Sequence, residues 1–153
     1  MKKSQRMQTV NSLADRKEQE QAKRFAKSQK HHEHQQKKYD ELKQYYREYA
    51  DASQIQTAQA LDVHRLQETR HFMSKLAQAV AQQSEAVERA EANVANERQR
   101  WLDSRCRAMS LEKLTDRYRE QEQQQLNTEE QRQADDLTSQ RFVWSARQST
   151  NMA

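Results

Sequence analysis

Not one glycine or proline occurs in the 153 residues of this chain. At average usage of about 7% and 5%, roughly eighteen would be present. Glycine supplies the positive φ of tight turns and helix C-caps, and proline stops helices and starts turns. A chain with neither has few places to bend sharply. It also lacks the glycine loops that let a backbone approach a phosphate. The pattern predicts long helices and no nucleotide fold of the chain's own.

Composition narrows this further. Hydrophobic residues are 33% of the chain and charged residues another 33%, whereas a globular domain runs about 45–50% apolar. A broad core is out of reach, but a narrow helix–helix seam is not. Disorder is the competing reading for so polar a chain, and periodicity decides between them. Met73, Val80, Val87, Val94, Trp101 and Ala108 recur every seven residues. Leu76, Gln83, Ala90, Glu97, Ser104, Leu111 and Tyr118 follow at offset three. This is an a/d heptad with polar intrusions at Gln83, Glu97 and Ser104, which set register or lower stability.

The first half is more dilute. Phe25, His32, Tyr39 and Tyr46 share one heptad line, Leu42 and Tyr49 the offset line, and Met7, Val10, Leu13 and Ala14 extend a weak stripe. The expected fold class is all-α, a long antiparallel two-helix coiled coil forming a single domain over 1–153. Helix 1 covers about 3–50, the tip about 51–61 and helix 2 about 62–143, with 144–153 a flexible tail. Asp51, Ser53, Thr57 and Asp62 are candidate N-caps, and Ser53 with Gln56 a candidate capping box. A tip centred near residue 57 pairs positions whose numbers sum to about 114. Leu42 then meets Phe72, Tyr39 meets Leu76, and helix 1 runs out opposite about residue 113. The remainder is expected as a polar C-terminal helical overhang on a rod.

Net charge is +4, with a local basic excess. Lys2, Lys3, Arg6, Arg16 and Lys17 crowd the N-terminal end, while Glu120, Glu122, Glu129, Glu130, Asp135 and Asp136 make an acidic stretch. Such asymmetry points to a charged partner at one end. Basic residues with tyrosines also raise a nucleic-acid-binding arm, but glutamates interleave with the arginines and no reading element is visible. His31, His32 and His34 read as surface or seam histidines, since the expected opposing residues offer no ligand. A two-helix rod has no cavity in which to shift a pKa or exclude water, so no catalysis and no cofactor are expected. The single Cys106 suits a reducing compartment. No apolar h-region follows MKKSQRMQTV and no run reaches 18 apolar residues, so neither a secretory leader nor membrane insertion is expected. Leu42, Tyr45, Tyr49, Phe72, Leu76 and Ala79 can share one side of the tip-proximal half. Ordinary seam packing is one account of them and an exposed docking patch the other.

The order LKQYYREY (42–49), R-x-FMSKLAQAV (70–80), V-x-x-ERQRW (94–101), LEKL (111–114) and EEQRQADDL (129–137) resembles the FliJ family of flagellar type III export proteins. The injectisome proteins YscO/SctO are more distant relatives. The resemblance covers roughly residues 5–142. It implies an antiparallel coiled coil similar to the γ stalk of rotary ATP synthases, without enzyme activity. It implies a cytoplasmic protein, peripherally associated with the inner-membrane export apparatus. The implied partners are the export ATPase FliI hexamer, its regulator FliH, the cytoplasmic domain of the export gate FlhA, and substrate chaperones. The gate-binding face would be Leu42, Tyr45, Tyr49, Phe72, Leu76 and Ala79. The flanking polar positions fall on Lys38 and Gln83, where the residues depart from the family pattern. A coiled-coil seam of Met73, Val80, Val87, Val94, Trp101 and Leu111 would support it. The basic set Lys2, Lys3, Arg6, Arg16 and Lys17 would form the ATPase-ring end. An injectisome stalk and a chaperone escort are the alternatives sharing this fold.

Overall fold

The structure, a computed structural model, describes residues 1–57 and 62–152. Two helices account for nearly all of them: α1, Lys3–Thr57, and α2, Val63–Asn151. Both run further than the sequence reading allowed. α1 continues through Asp51 and Ser53 because nothing in ADASQIQT forces a stop, so neither residue caps a helix and the proposed capping box lies inside α1. Asp62 takes the cap of α2, its Oδ1 accepting the His64 N–H at 3.4 Å and its carbonyl the Leu66 N–H at 3.2 Å. At the other end α2 stays helical through 144–151, which the sequence reading assigned to a flexible tail. Of the expected tip, 58–61 lie outside the described residues.

The chain divides into two compact units, Met1–Arg16 with Cys106–Ala153, and Lys17–Arg105. In each, a stretch of α1 packs antiparallel on a stretch of α2, and a/d spacing decides what is buried. Along α1 the a/d positions Ser4, Met7, Asn11, Ala14, Glu18, Gln21, Phe25, Ser28, His32, Gln35, Tyr39, Leu42, Tyr46 and Tyr49, in alternating steps of three and four, are all protected, with a few flanking positions beside them. Seven of these fourteen are Ser, Asn, Glu, Gln or His, so burial here follows geometry rather than hydrophobicity. The stripe expected at Val10 and Leu13 is corrected: they are 40% and 56% exposed, because each sits one position before the seam residue Asn11 or Ala14. Along α2 the same alternation leads from Met73 through Leu76, Val80, Gln83, Val87, Ala90, Val94, Glu97, Trp101 and Ser104. Ala108, Leu111, Thr115, Tyr118 and Glu122 carry it on within the other unit.

The terminal unit shows how polar residues fit such a seam. Asn11 donates from Nδ2 to Thr115 Oγ1 at 2.8 Å, and Thr115 Oγ1 donates to the Leu111 carbonyl at 2.8 Å. Thr115 is 1% exposed, so the pair gives Asn11 Nδ2 and Thr115 Oγ1 partners where water cannot reach, while Asn11 Oδ1 stays buried without one among the described residues. At the start of α1, Lys2 provides the first accepting carbonyl, leaving the Ser4 N–H without an intrahelical acceptor. Glu122 of α2 supplies one, at 3.1 Å.

These pairs correct the expected register. Ser4 with Glu122 and Asn11 with Thr115 both sum to 126. In the other unit Gln35 with Gln83 sums to 118, and Tyr45 with Phe72 to 117. A centre at residue 57, where the apolar heptad fades, is too early, because α1 outlasts its apolar residues. The start of α1 therefore lies against Glu122, not residue 113.

Candidate functional site

The candidate docking face belongs to the Lys17–Arg105 unit. Three rings meet there across the two helices. Tyr45 and Phe72 pack edge to face, with centroids 6.4 Å apart and planes at 83°. Tyr49 packs on the same Phe72 at 4.6 Å and 54°. Edge-to-face and tilted pairs suit the ring quadrupoles and contribute about 0.5–1.5 kcal/mol beyond area burial. The rings are not hidden by this packing: Tyr45 is 49% and Phe72 38% exposed.

The face is thus part seam and part surface. Leu76, 8% exposed, is seam, and Leu42 and Tyr49 occupy protected a/d positions. Ala79 is half-buried and Lys38 exposed. Gln83 is engaged elsewhere: its Nε2 donates to the Gln35 carbonyl at 2.9 Å and to Gln35 Oε1 at 2.7 Å. Its amide is occupied inside the seam. Beside the face, the Lys43 ammonium lies 4.9 Å from the centre of the Tyr39 ring. Lys43, Tyr46, Arg47, Ala77 and Val80 line a shallow open groove.

Further along this unit Trp101 is locked from several sides. Phe25 stacks on it at 5.7 Å and 6°, the Arg105 guanidinium lies 5.5 Å from its ring, and its Nε1–H donates to Glu18 Oε1 at 2.9 Å. The other residues named for the seam, Met73, Val80, Val87, Val94 and Leu111, are half-buried. Glu18 was missed as a seam residue because a charged side chain reads as surface. Its spacing, seven before Phe25, is the signal that finds it.

Of the basic residues, Lys2, Lys3, Arg6 and Arg16 fall in the terminal unit and Lys17 in the other. All five are exposed. Lys3 lies over Tyr118 at 5.6 Å, and Arg6 donates to the Met1 carbonyl at 3.2 Å. His32 takes a seam position while His31 and His34 are exposed. Among the described residues no three His, Cys, Asp or Glu side chains are placed to hold a metal ion. No helix among them is long and apolar enough to cross a membrane.

Paired helices with a polar-rich seam and a half-exposed aromatic cluster define an all-α, two-helix coiled-coil class of protein. Comparison with known proteins gives this class a family. Residues 2–147 match the FliJ family, described as flagellar FliJ protein, and the chain belongs to it. Membership makes it a component of flagellar type III export, in a family of structural rather than catalytic proteins. No curated protein and no solved structure matches the chain.

Proposed function

We propose that this chain is a stalk of the flagellar export apparatus, comparable to the γ stalk of rotary ATPases, that links the export ATPase to the export gate. Its terminal unit, carrying Lys2, Lys3, Arg6 and Arg16, enters the FliI hexamer and promotes its assembly, with Lys17 at the margin. Its aromatic face docks the cytoplasmic domain of FlhA through the exposed rings of Tyr45 and Phe72, which Leu42, Tyr49, Leu76 and Ala79 support from the seam side. FliH and substrate chaperones are further partners, and the site of action is the cytoplasmic face of the inner membrane.

The observation that carries this reading is the exposure of Tyr45 and Phe72 within a cross-helix ring cluster. Large aromatics half open to water and already held by a neighbour are pre-ordered for binding, and such residues dominate interface energetics. The test has two arms. Adding the chain to its cognate ATPase is expected to raise hexamer formation and ATP hydrolysis, and no change in either would falsify the ring assignment. Tyr45→Ala with Phe72→Ala is expected to lower binding to the gate domain about tenfold or more, with helicity at 222 nm retained. Equal loss of both would show the rings to be seam only.

A further inference from the structure

Beyond Glu122, α2 is helical to Asn151, and every residue from Gln123 to Met152 is exposed. A helix gains most of its stability from a packed face, and here the residues that could form one are open to water. Leu126, Leu137 and Trp144, 41%, 58% and 64% exposed, are separated by eleven and seven residues, close to three and two turns. With Glu130, Gln133, Gln140 and Arg147 they form an alternation of fours and threes like that of the buried seams. The hydroxyls of Thr128, Thr138, Ser145, Ser149 and Thr150 each donate to a carbonyl of their own helix. At 100° per residue they fall away from this line, so the line is left clear.

Charge identifies what covers it. From 123 to 137 the segment carries Glu129, Glu130, Asp135 and Asp136 against Arg132 alone, whereas from 138 onward it carries Arg141 and Arg147 and no acid. Two copies side by side in the same direction would set like charge on like. Reversed, the acidic half of each lies on the basic half of the other. We propose that α2 pairs antiparallel with α2 of a second copy of this chain through the Leu126–Trp144 line. The register that fits sums to about 277. Glu130 meets Arg147 of the second copy, Trp144 covers Gln133, Leu137 meets Gln140, and two-fold symmetry repeats each contact. So polar a line is no obstacle, since half the seam positions of α1 are polar as well.

Sedimentation equilibrium of the full chain tests this. A reversible dimer is expected, and Arg147→Glu is expected to raise its dissociation constant about tenfold or more by placing like charges together. Combining Glu130→Arg with Arg147→Glu exchanges the two charges and is expected to restore pairing. For direction, Gln140→Cys in a Cys106→Ser background lies near the two-fold axis and is expected to cross-link between copies. Gln133→Cys is expected not to. A monomer at all concentrations, a dimer indifferent to Arg147→Glu, failure of the exchanged pair, or cross-linking at both cysteines overturns the proposal.

Discussion

Glu122 holds Ser4 with both carboxylate oxygens: Oε1 accepts the backbone N–H at 3.1 Å and Oε2 accepts the Ser4 hydroxyl at 2.6 Å. No acidic residue lies in the first turn of α1. The other helix therefore supplies both the acceptor and the negative charge that a helix N-terminus favours.

That contact predicts an acid-sensitive start to α1. The hydrogen bonds from the Ser4 hydroxyl and then the Ser4 N–H, with Lys2 and Arg119 nearby, hold the Glu122 carboxyl below its ordinary 4.5. A carboxylate lowered on folding stabilises the fold above its unfolded pKa and loses that contribution as pH falls through the folded value. Protection of the Ser4 amide from hydrogen exchange is expected to decline below about pH 4.5. In Glu122→Gln it is expected to be weaker at neutral pH and flatter with pH. An unchanged profile in that variant would remove Glu122 as the cause.

Trp101→Phe keeps a ring on Phe25 but leaves Glu18 Oε1 without its donor. The expected cost is about 1–2 kcal/mol, read as a lower urea midpoint. Trp144→Phe, at an exposed position, is expected to leave the midpoint of the dilute chain unchanged. The two variants also assign the two tryptophan emissions to a packed and a wet site.

Glu97 sits in the seam with its Oε2 buried and without a hydrogen-bond partner among the described residues, while Oε1 lies 3.6 Å from Arg100. Glu97→Leu removes an unsatisfied oxygen and adds apolar area at the loss of a weak ion pair. A gain of about 1–2 kcal/mol is expected, and destabilisation would show that the carboxylate has a partner in solution.

Leu76→Ala and Tyr45→Ala separate seam from surface. Leu76 is 8% exposed, so its truncation is expected to cost about 2–3 kcal/mol of unfolding free energy. Tyr45, half open to water, is expected to cost under about 1 kcal/mol, mostly its contact with Phe72. Equal costs would mean that the ring cluster is as buried as the seam.

The helices were legible in the sequence because missing glycine and proline and a seven-residue apolar line act locally. Met73, Val80 and Val87 announce α2 without reference to anything else. The first helix was half legible. Ser4, Asn11, Glu18, Ser28 and Gln35 are protected by position, and a pattern that equates polar with outside passes over them. Register was not legible, because it depends on which polar side chains meet across the seam, as Asn11 and Thr115 do. At the docking face, the placing of Tyr45 and Phe72 one position before the seam residues Tyr46 and Met73 was visible, but not that the two rings would meet across the helices while 49% and 38% exposed.

Gln83 on Gln35 has a consequence of another kind. Apolar seams have a near-degenerate ladder of alignments, each rung seven residues or about 10.5 Å from the next. Slide α2 by one rung and Leu76 or Ala90 stands where Gln83 stood, leaving the Gln35 side chain facing a group that cannot bond to it. The pair works as an index mark: it removes the wrong rungs more than it deepens the right one, and two such polar helices can find a single alignment.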